Sequence, residues 1–361
     1  MKISSYNITD VGYHYIGLRV LAGLPSATRR DEQTKAISRN VQKYVTDKAL
    51  RLLLPEPQGT FETVGEKICQ ELVHFKFAIS VRGAYELTDE GKKILNLLSN
   101  RQHKELRRIM AQTHLETYDN LRELVGKYLI KGYVWMPTVE ANHLSDKNYI
   151  YHLLEPTFGE DTSSIIEPIL EKIDGMSPKK TEDLLRTEIL RKIIPNMNLA
   201  LFRALTDRLV SLRLLNVMKS SFQGCEFSKS YSPCVSTSLS HPWYVKLDLF
   251  LPPSKESFSI YFCEPDMSDK DAQTKLLAAL DIAFSELTPR AGYYELPEIR
   301  DFVCDYLKIP EASFDEGING LLDLQTSPLT AGLQYEGISG RRKPLVRTRE
   351  ASQIHNLIRR A

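Results

Sequence analysis

The spacing of apolar residues constrains this chain more than any other feature. Between Leu115 and Leu129 the apolar side chains recur every three or four positions, with charged residues between them. This period places the apolar side chains on one face of an α-helix. The same spacing predicts helices over 165–173, 181–194, 199–214, 271–287 and 296–307. The chain is therefore expected to be mainly helical.

Short predicted strands follow the helices. Alternating apolar residues predict strands within 77–86, 215–231, 243–251, 258–263 and 333–346. Turn residues such as Arg82-Gly83 interrupt four of these segments and predict β-hairpins. In the first block, helices over 34–54 and 60–74 precede a hairpin and a helix over 89–99. In a second block, the helices predicted over 165–173, 181–194 and 199–214 precede the hairpin predicted within 215–231. In a third block, the helix predicted over 296–307 precedes the hairpin predicted within 333–346, and a last helix is predicted from Glu350.

The length of 361 residues predicts two or three domains, since a domain typically has about 150 residues. The predicted divisions are an N-terminal segment (1–34), a domain with a C-terminal helical extension (35–154), a second domain (164–232), and a hairpin with a third domain (243–361). Segments rich in Pro, Gly, Asp and Ser over 155–164 and 232–242 are the predicted linkers. No fixed sequence period relates the blocks.

The end of the first block carries a recognisable motif. Tyr85 and Leu87 alternate with a charged residue as in a strand, and Thr88 is placed to cap a helix that has Asp89 in its first turn. This Leu-Thr-x-x-Gly close resembles the end of a winged helix-turn-helix domain, and the resemblance covers about residues 35–98. It implies a mainly α fold with small β-hairpin wings, built from tandem winged-helix domains. The other two blocks share the order of elements but lack this motif.

The resemblance also implies which residues contact nucleic acid. Winged-helix proteins that bind DNA place the helix before the wing in the major groove, while cations of the wing contact the minor groove or the backbone. The residues so implied are Lys67, Gln70, His74, Lys76 and Arg82 in the first block, Arg203, Arg208, Arg213 and Lys219 in the second, and Arg341, Arg342, Lys343, Arg347 and Arg349 in the third. An ordinary solvated surface is the alternative interpretation of each group.

Charge is nearly balanced overall but unevenly distributed. The formal net charge is +1, which gives no long-range field to attract a polyanion. Residues 341–361 nevertheless carry a net charge of +6, and residues 251–340 carry −10. The basic end suits phosphate contacts, whereas the acidic segment 251–340 would repel a duplex and suits a protein partner.

Motifs for common enzyme chemistries are missing from the sequence. It has no phosphate-binding loop, dinucleotide fingerprint, His-Glu-x-x-His pair or Gly-x-Ser-x-Gly elbow. The spacings of Cys225, Cys234, His241 and Cys263 fit no compact zinc site. The sequence thus predicts a protein that is not an enzyme, with no catalytic residue, no metal site and no cofactor. The five scattered cysteines predict reduced thiols in the cytoplasm, near the nucleoid, or in a nucleus. No apolar run predicts a membrane span.

Two functions follow from these observations. The favoured one is a non-enzymatic nucleic-acid-binding protein whose ligand is duplex DNA, acting as a transcriptional regulator or as the DNA-reading subunit of a multiprotein complex. The alternative is an architectural adaptor whose winged-helix modules contact protein in a chromosome-organising or similar assembly. A continuous basic surface on the helices before the wings favours DNA, whereas apolar outer faces favour the adaptor. Homodimerisation is left open.

Overall fold

The structure is a computed structural model of the chain. It is mainly helical, with small antiparallel sheets, which confirms the predicted fold class at that level. The residues it describes are 2–3, 8, 10–46, 60–131, 134–137, 151, 155, 159–173, 175–222, 225–236, 244–251, 256–289, 292–332 and 357–361. None of the described helices is long and apolar enough to cross a membrane.

The first unit consists of four helices and a hairpin. Its elements are α1 (Gly12–Gly23), α2 (Arg30–Thr46), α3 (Phe61–His74), β1 (Ala78–Val81), β2 (Ala84–Leu87) and α4 (Asp89–Ser99). Leu18, Ile37 and Ile68 come from the first three helices and are fully buried in one core. The unit therefore begins at α1, within the predicted N-terminal segment 1–34, and not at residue 35. Because α1 is apolar on most sides, its sequence lacks the polar face that marks a surface helix.

The motif that closes the hairpin has a structural explanation. The backbone N–H of Gly91 donates to Thr88 Oγ1 (3.1 Å), and the Thr88 hydroxyl donates to the carbonyl of Lys76 (2.6 Å). Thr88 thus caps α4 and ties its start to the beginning of the hairpin. A Cβ at position 91 would lie 2.1 Å from the carbonyl oxygen of Phe77. Glycine is required there because α4 passes so close to the backbone.

Two further helices follow, where one was predicted over 115–129. They are α5 (His103–Thr117) and α6 (Asp119–Lys127), and an extended backbone at Tyr118 (φ −110°, ψ 104°) separates them. Arg122 Nη1 donates to the carbonyls of Leu115 and Glu116 (3.0 and 3.1 Å) and so satisfies the open end of α5. The apolar stripe continues across this bend, so the spacing alone did not reveal it.

The second unit is a helical group with a three-stranded sheet. Its elements are β3 (Val134–Pro137), α7 (Thr162–Ile173), α8 (Pro178–Ile193), α9 (Leu199–Ser211), β4 (Leu215–Phe222) and β5 (Cys225–Pro233), with sheet order β3-β5-β4. The predicted linker 232–242 begins inside this structure, because Ser232 and Cys234 are fully buried.

A second sheet connects the first two units. Its strands are β6 (Val235–Ser236), β7 (Tyr244–Leu251) and β8 (Glu256–Cys263), in the order β6-β8-β7. Strand β7 packs against α5 and α6. Leu247 and Phe262 belong to the same hydrophobic core as the first two units. The predicted hairpin in 243–263 is therefore part of the shared core.

The third unit has its own hydrophobic core. Its elements are α10 (Lys270–Glu286), β9 (Tyr294–Glu295), α11 (Leu296–Leu307), α12 (Glu311–Leu322), β10 (Leu329–Gly332) and β11 (Leu357–Arg360). Strand β11 lies between β9 and β10 and pairs antiparallel with both. The last helix predicted from Glu350 is wrong for 357–360, which form this strand. The remainder of that prediction and the hairpin over 333–346 lie outside the described residues.

Candidate nucleic-acid interface

In the first unit, α3 presents a polar outer face. Glu62, Glu66, Gln70 and His74 follow one another at intervals of four residues, and all are exposed. Gln70 Nε2 donates to Glu66 Oε1 (3.3 Å), while Lys67 lies half-buried beside this row. Three of the predicted contact residues, Lys67, Gln70 and His74, are thus together on one helix. Its first half carries two carboxylates, those of Glu62 and Glu66.

The hairpin of the first unit is fastened to α2. Its turn residues Arg82 and Gly83 both have positive φ (46° and 83°), which is typical of the tight turn that joins two strands without splaying them. The N–H of Arg30 donates to the carbonyl of Gly83 (2.9 Å). The side-chain amide of Gln33 exchanges two hydrogen bonds with the backbone of Tyr85 (2.7 and 2.9 Å). The position of the exposed Arg82 is therefore set by the helices.

Three arginines surround a concavity between the hairpin tip, α2 and α3. They are Arg29, Arg30 and Arg82, and Glu66 lies on the same lining. Arg30 is used internally, because its Nη2 lies 3.5 Å from Glu66 Oε1 and its guanidinium lies 4.9 Å from the centre of the Tyr85 ring. Within the described part of the chain, Arg29 and Arg82 form no ion pair. These two cations, with the exposed Lys76, are the ones that face solvent around α3.

The second unit does not repeat this surface. Arg208 of α9 is fully buried, and its Nη2 lies 3.0 Å from Glu71 Oε2 of α3. Its prediction as a nucleic-acid contact is wrong, because a desolvated cation paired in the core cannot reach a phosphate. Arg203 is exposed on α9. Arg213 is half-buried and lines a cavity, where burial lowers the pKa of its guanidinium. Lys219 lies in β4, and its side chain is outside the described residues.

The Arg208 side chain belongs to a buried charge cluster, which we define as His14, Glu71, His114 and Arg208. His14 Nε2 lies 2.7 Å from Glu71 Oε2, and Arg208 Nη1 lies 3.1 Å from His114 Nδ1. Burial lowers the pKa of His14, and it lowers the pKa of His114 well below the ordinary value. The four side chains come from α1, α3, α5 and α9, so the cluster joins the first unit to the second.

Sequence reasoning missed this cluster, although a signal was present. Glu71 follows Ile68 by three positions and precedes Phe75 by four, so it lies within the apolar stripe of α3. Arg208 occupies the same kind of position between Leu205 and Leu212. A charged residue inside an apolar stripe requires a buried partner.

The two helices that meet at the cluster end in the same way. At the end of α3, the N–H groups of Phe75, Lys76 and Phe77 donate to the carbonyls of Glu71, Val73 and Leu72, respectively. At the end of α9, the residues 137 positions later in the sequence form the same three hydrogen bonds. Lys76 and Arg213 occupy the left-handed position of the two turns, with φ of 60° and 59°. Two predicted contact residues are therefore structurally equivalent, yet Lys76 is exposed while Arg213 faces inward.

The third unit has an acidic helix before its last strands. Helix α12 carries Glu311, Asp315 and Glu316 and contains no lysine or arginine. Arg359 lies over the ring of Tyr293 (4.6 Å), and Arg360 pairs with Asp281, so these two cations of the basic end are used within the unit. The predicted contacts Arg341, Arg342, Lys343, Arg347 and Arg349 lie outside the described residues.

The described residues contain no candidate site for metal binding or thiol chemistry. Among the described residues, no group of three or more His, Cys, Asp or Glu side chains is placed to hold a metal ion. Cys69, Cys234, Cys263 and Cys304 are buried and unpaired in disulfides. Burial raises the pKa of the Cys69 thiol to about 12, which keeps it protonated and unreactive at neutral pH.

The chain was compared with models of protein families, with curated proteins and with solved structures, and none of these comparisons gave a match.

Proposed function

We propose that this chain is a tandem winged-helix protein. The order of elements in the third unit supports this assignment: helix, strand, two helices and two strands, with the last strand in the centre of the sheet. The first unit supports it with three helices, a hairpin and the capped helix that follows. In the second unit, strand β3 precedes the helices in the sequence and pairs with the hairpin strand β5.

We further propose that the protein binds duplex DNA without catalysing a reaction, and that it does so through the first unit. One observation carries this proposal: Glu66 of α3 and the tip of the hairpin line one concavity, and hydrogen bonds from Arg30 and Gln33 fix the hairpin to α2. A groove-reading helix and a phosphate-contacting wing need this fixed relation. The enclosed α9 and the acidic α12 take no part.

The amount of positive charge sets the expected strength. Arg29, Lys76 and Arg82 provide about three phosphate contacts, each of which contributes about −0.9 to the slope of log K against log salt. Binding to a labelled duplex, followed by fluorescence anisotropy at increasing salt, is expected to give a slope of about −3. Such binding is weak and suits a subunit of a larger DNA-binding assembly.

The test compares two triple variants with the same loss of charge. Changing Arg29, Lys76 and Arg82 to Ala removes the proposed contacts and is expected to abolish the salt-dependent binding. Changing Lys127, Lys192 and Lys270 to Ala removes exposed cations from three other helices and is expected to leave the slope within about 0.5 of wild type. Equal losses in the two variants, or no binding by wild type at low salt, would overturn the proposal.

A specific observation supports a second candidate, the architectural adaptor. Helix α12 carries three acidic residues and no lysine or arginine, and the exposed Glu316 on it repels a duplex. It suits a basic protein partner. If the wild type binds no DNA, this function becomes the favoured one, and the partner is to be sought on the third unit.

A further inference from the structure

A cavity of about 370 Å³ lies where the three units meet. The start of α1, the end of α9 with the start of β4, and the start of α12 form its walls together with residues of α4 and α5. The volume is within the range of sites that hold small molecules, about 300–1,000 Å³. The cavity is separate from the concavity beside α3, so it is not part of the proposed DNA surface.

Hydrogen bonds hold the walls of this cavity in place. Asn216 Nδ2 of β4 donates to the carbonyl of Ile309 (2.8 Å), and Asn216 Oδ1 accepts from the N–H of Glu311 (3.1 Å). The N–H of Val11 donates to Ser211 Oγ (2.7 Å) and joins the start of α1 to the end of α9. The cavity is therefore built by fixed contacts between units.

Arg213 is the important polar group of the lining. Burial lowers the pKa of its guanidinium, and within the described part of the chain it forms no ion pair. The carboxylate of Glu316 acts on it electrostatically. A partly desolvated guanidinium gains from a bound anion, and its planar fork matches a carboxylate or a phosphate.

The lining also contains His103, Arg107 and two carboxylates, those of Asp10 and Glu311. Asp10 Oδ1 accepts from the N–H of Gly12 (2.7 Å), and burial raises the pKa of its carboxyl. Arg107 pairs with Glu264. Arg213 is thus the cation with most to gain from a ligand.

The rest of the lining is largely apolar. Leu106, Met110 and Leu212 are buried and line the cavity. Apolar walls with a few convergent polar groups are typical of sites for small organic ligands. We propose that this cavity binds a small organic anion, with its carboxylate or phosphate on Arg213 and its apolar body against Leu106 and Met110.

Ligand binding is tested by the melting temperature of the full chain, with no DNA present, so the result is independent of the DNA test. The probes are benzoate, octanoate and phenyl phosphate, and benzylamine is the cationic match of benzoate. At ten times its Kd, an anion that binds is expected to raise Tm by about 2 °C. Benzylamine is expected to give no rise. A response to benzoate or octanoate identifies a carboxylate site, and a response to phenyl phosphate alone identifies a phosphate site.

Two variants then locate the binding. Arg213→Gln removes the anion partner, and Ala312→Phe fills the cavity from α12 while leaving Arg213 in place; both are expected to abolish the rise in Tm. Arg203→Gln removes an exposed arginine of α9 and is expected to retain it. If none of the three anions raises the Tm of wild type at about 10 mM, or if Ala312→Phe responds as wild type does, the proposal is overturned. The Ala312→Phe result decides the question even if Arg213→Gln fails to fold.

Discussion

The first and second units contain the same local structure and use it in opposite ways. Helices α3 and α9 end in turns with the same hydrogen bonds, at positions 137 residues apart. Around α3 the outer face is open to solvent. Around α9 the helix is enclosed, and its exposed charges are limited to Arg203 and Asp207. Helix α3 thus keeps an exposed outer face, whereas α9 serves as a structural joint.

The first and second units differ most at one pair of equivalent positions. Glu71 and Arg208 occupy the same place relative to their turns, and they form an ion pair with each other in the core. Each is flanked by a histidine from a neighbouring helix. Opposite charges at one repeated position therefore allow two similar units to form a single core.

The largest expected effect comes from breaking this pair. Arg208→Met leaves the carboxylate of Glu71 buried without its guanidinium partner, and an uncompensated buried charge costs about 3–5 kcal/mol. The free energy of unfolding, measured by urea denaturation, is expected to fall by that amount. A loss below about 1 kcal/mol would show that the pair does not hold the units together.

The double variant Glu71→Leu with Arg208→Met is the control for this prediction. With both charges gone, no unpaired ion remains, and apolar replacement of a buried pair is often nearly neutral. The double variant is therefore expected to recover more than half of the lost stability. If it is less stable than Arg208→Met, the charge cluster contributes through contacts other than the ion pair.

The next largest effect is expected at the capped helix after the hairpin of the first unit, which has no counterpart among the described residues of the second unit. Gly91→Ala places a methyl group 2.1 Å from the carbonyl oxygen of Phe77. Because that neighbour is backbone, the strain is expected to lower the free energy of unfolding, measured by urea denaturation, by about 1–3 kcal/mol.

Gly320→Ala in α12 is the matched control, since its Cβ would meet only the end of a flexible Gln273 side chain at 4.0 Å. It is expected to stabilise by about 0.5–1 kcal/mol. Equal effects of the two substitutions would contradict the close approach.

Much of the helical framework could be predicted from the sequence. Helix α11 spans the predicted 296–307, and α3 begins one residue after the predicted start at 60. Both have clear apolar and polar faces, which is the signal that periodicity detects. Strand β11 was mistaken for helix because Ile354, Leu357 and Ile358 are spaced three and four apart, as on a helix. Only its pairing with β9 and β10 made it a strand.

The exposure of candidate contact residues could be predicted in the first unit but not in the second. Gln70, His74 and Arg82 were expected to face outward, and all three are exposed. Arg208 was assigned to the surface because charged residues usually lie there. Its partner Glu71 is 137 positions away, and no local pattern reveals a contact over that distance.

A smaller effect is expected from pH, through the histidines that flank the ion pair. Burial lowers the pKa of both His14 and His114 in the folded protein below the ordinary value of 6.5. As pH falls through 6.5, the unfolded chain therefore takes up protons before the folded one, and stability decreases. The expected loss is roughly 1 kcal/mol per pH unit for each histidine. Urea denaturation between about pH 7.5 and about pH 5.5 measures it. In His114→Gln the slope is expected to halve, and an unchanged slope would assign the pH dependence to other groups.

The smallest expected effect tests the assumption that the two helices differ in what they present to a partner. Arg203 lies four positions before Asp207 on the exposed strip of α9, so its charge is locally balanced. Arg203→Ala is expected to change the free energy of unfolding by less than about 0.5 kcal/mol and to leave the salt slope of DNA binding unchanged.

The equivalent position on α3 is Glu66, which lines the concavity with Arg82. Glu66→Ala removes a negative charge from the proposed surface and is expected to tighten DNA binding, because a carboxylate there repels phosphates. If Arg203→Ala weakens DNA binding while Glu66→Ala leaves it unchanged, the binding surface lies on the second unit, and the assigned roles of the two helices are reversed.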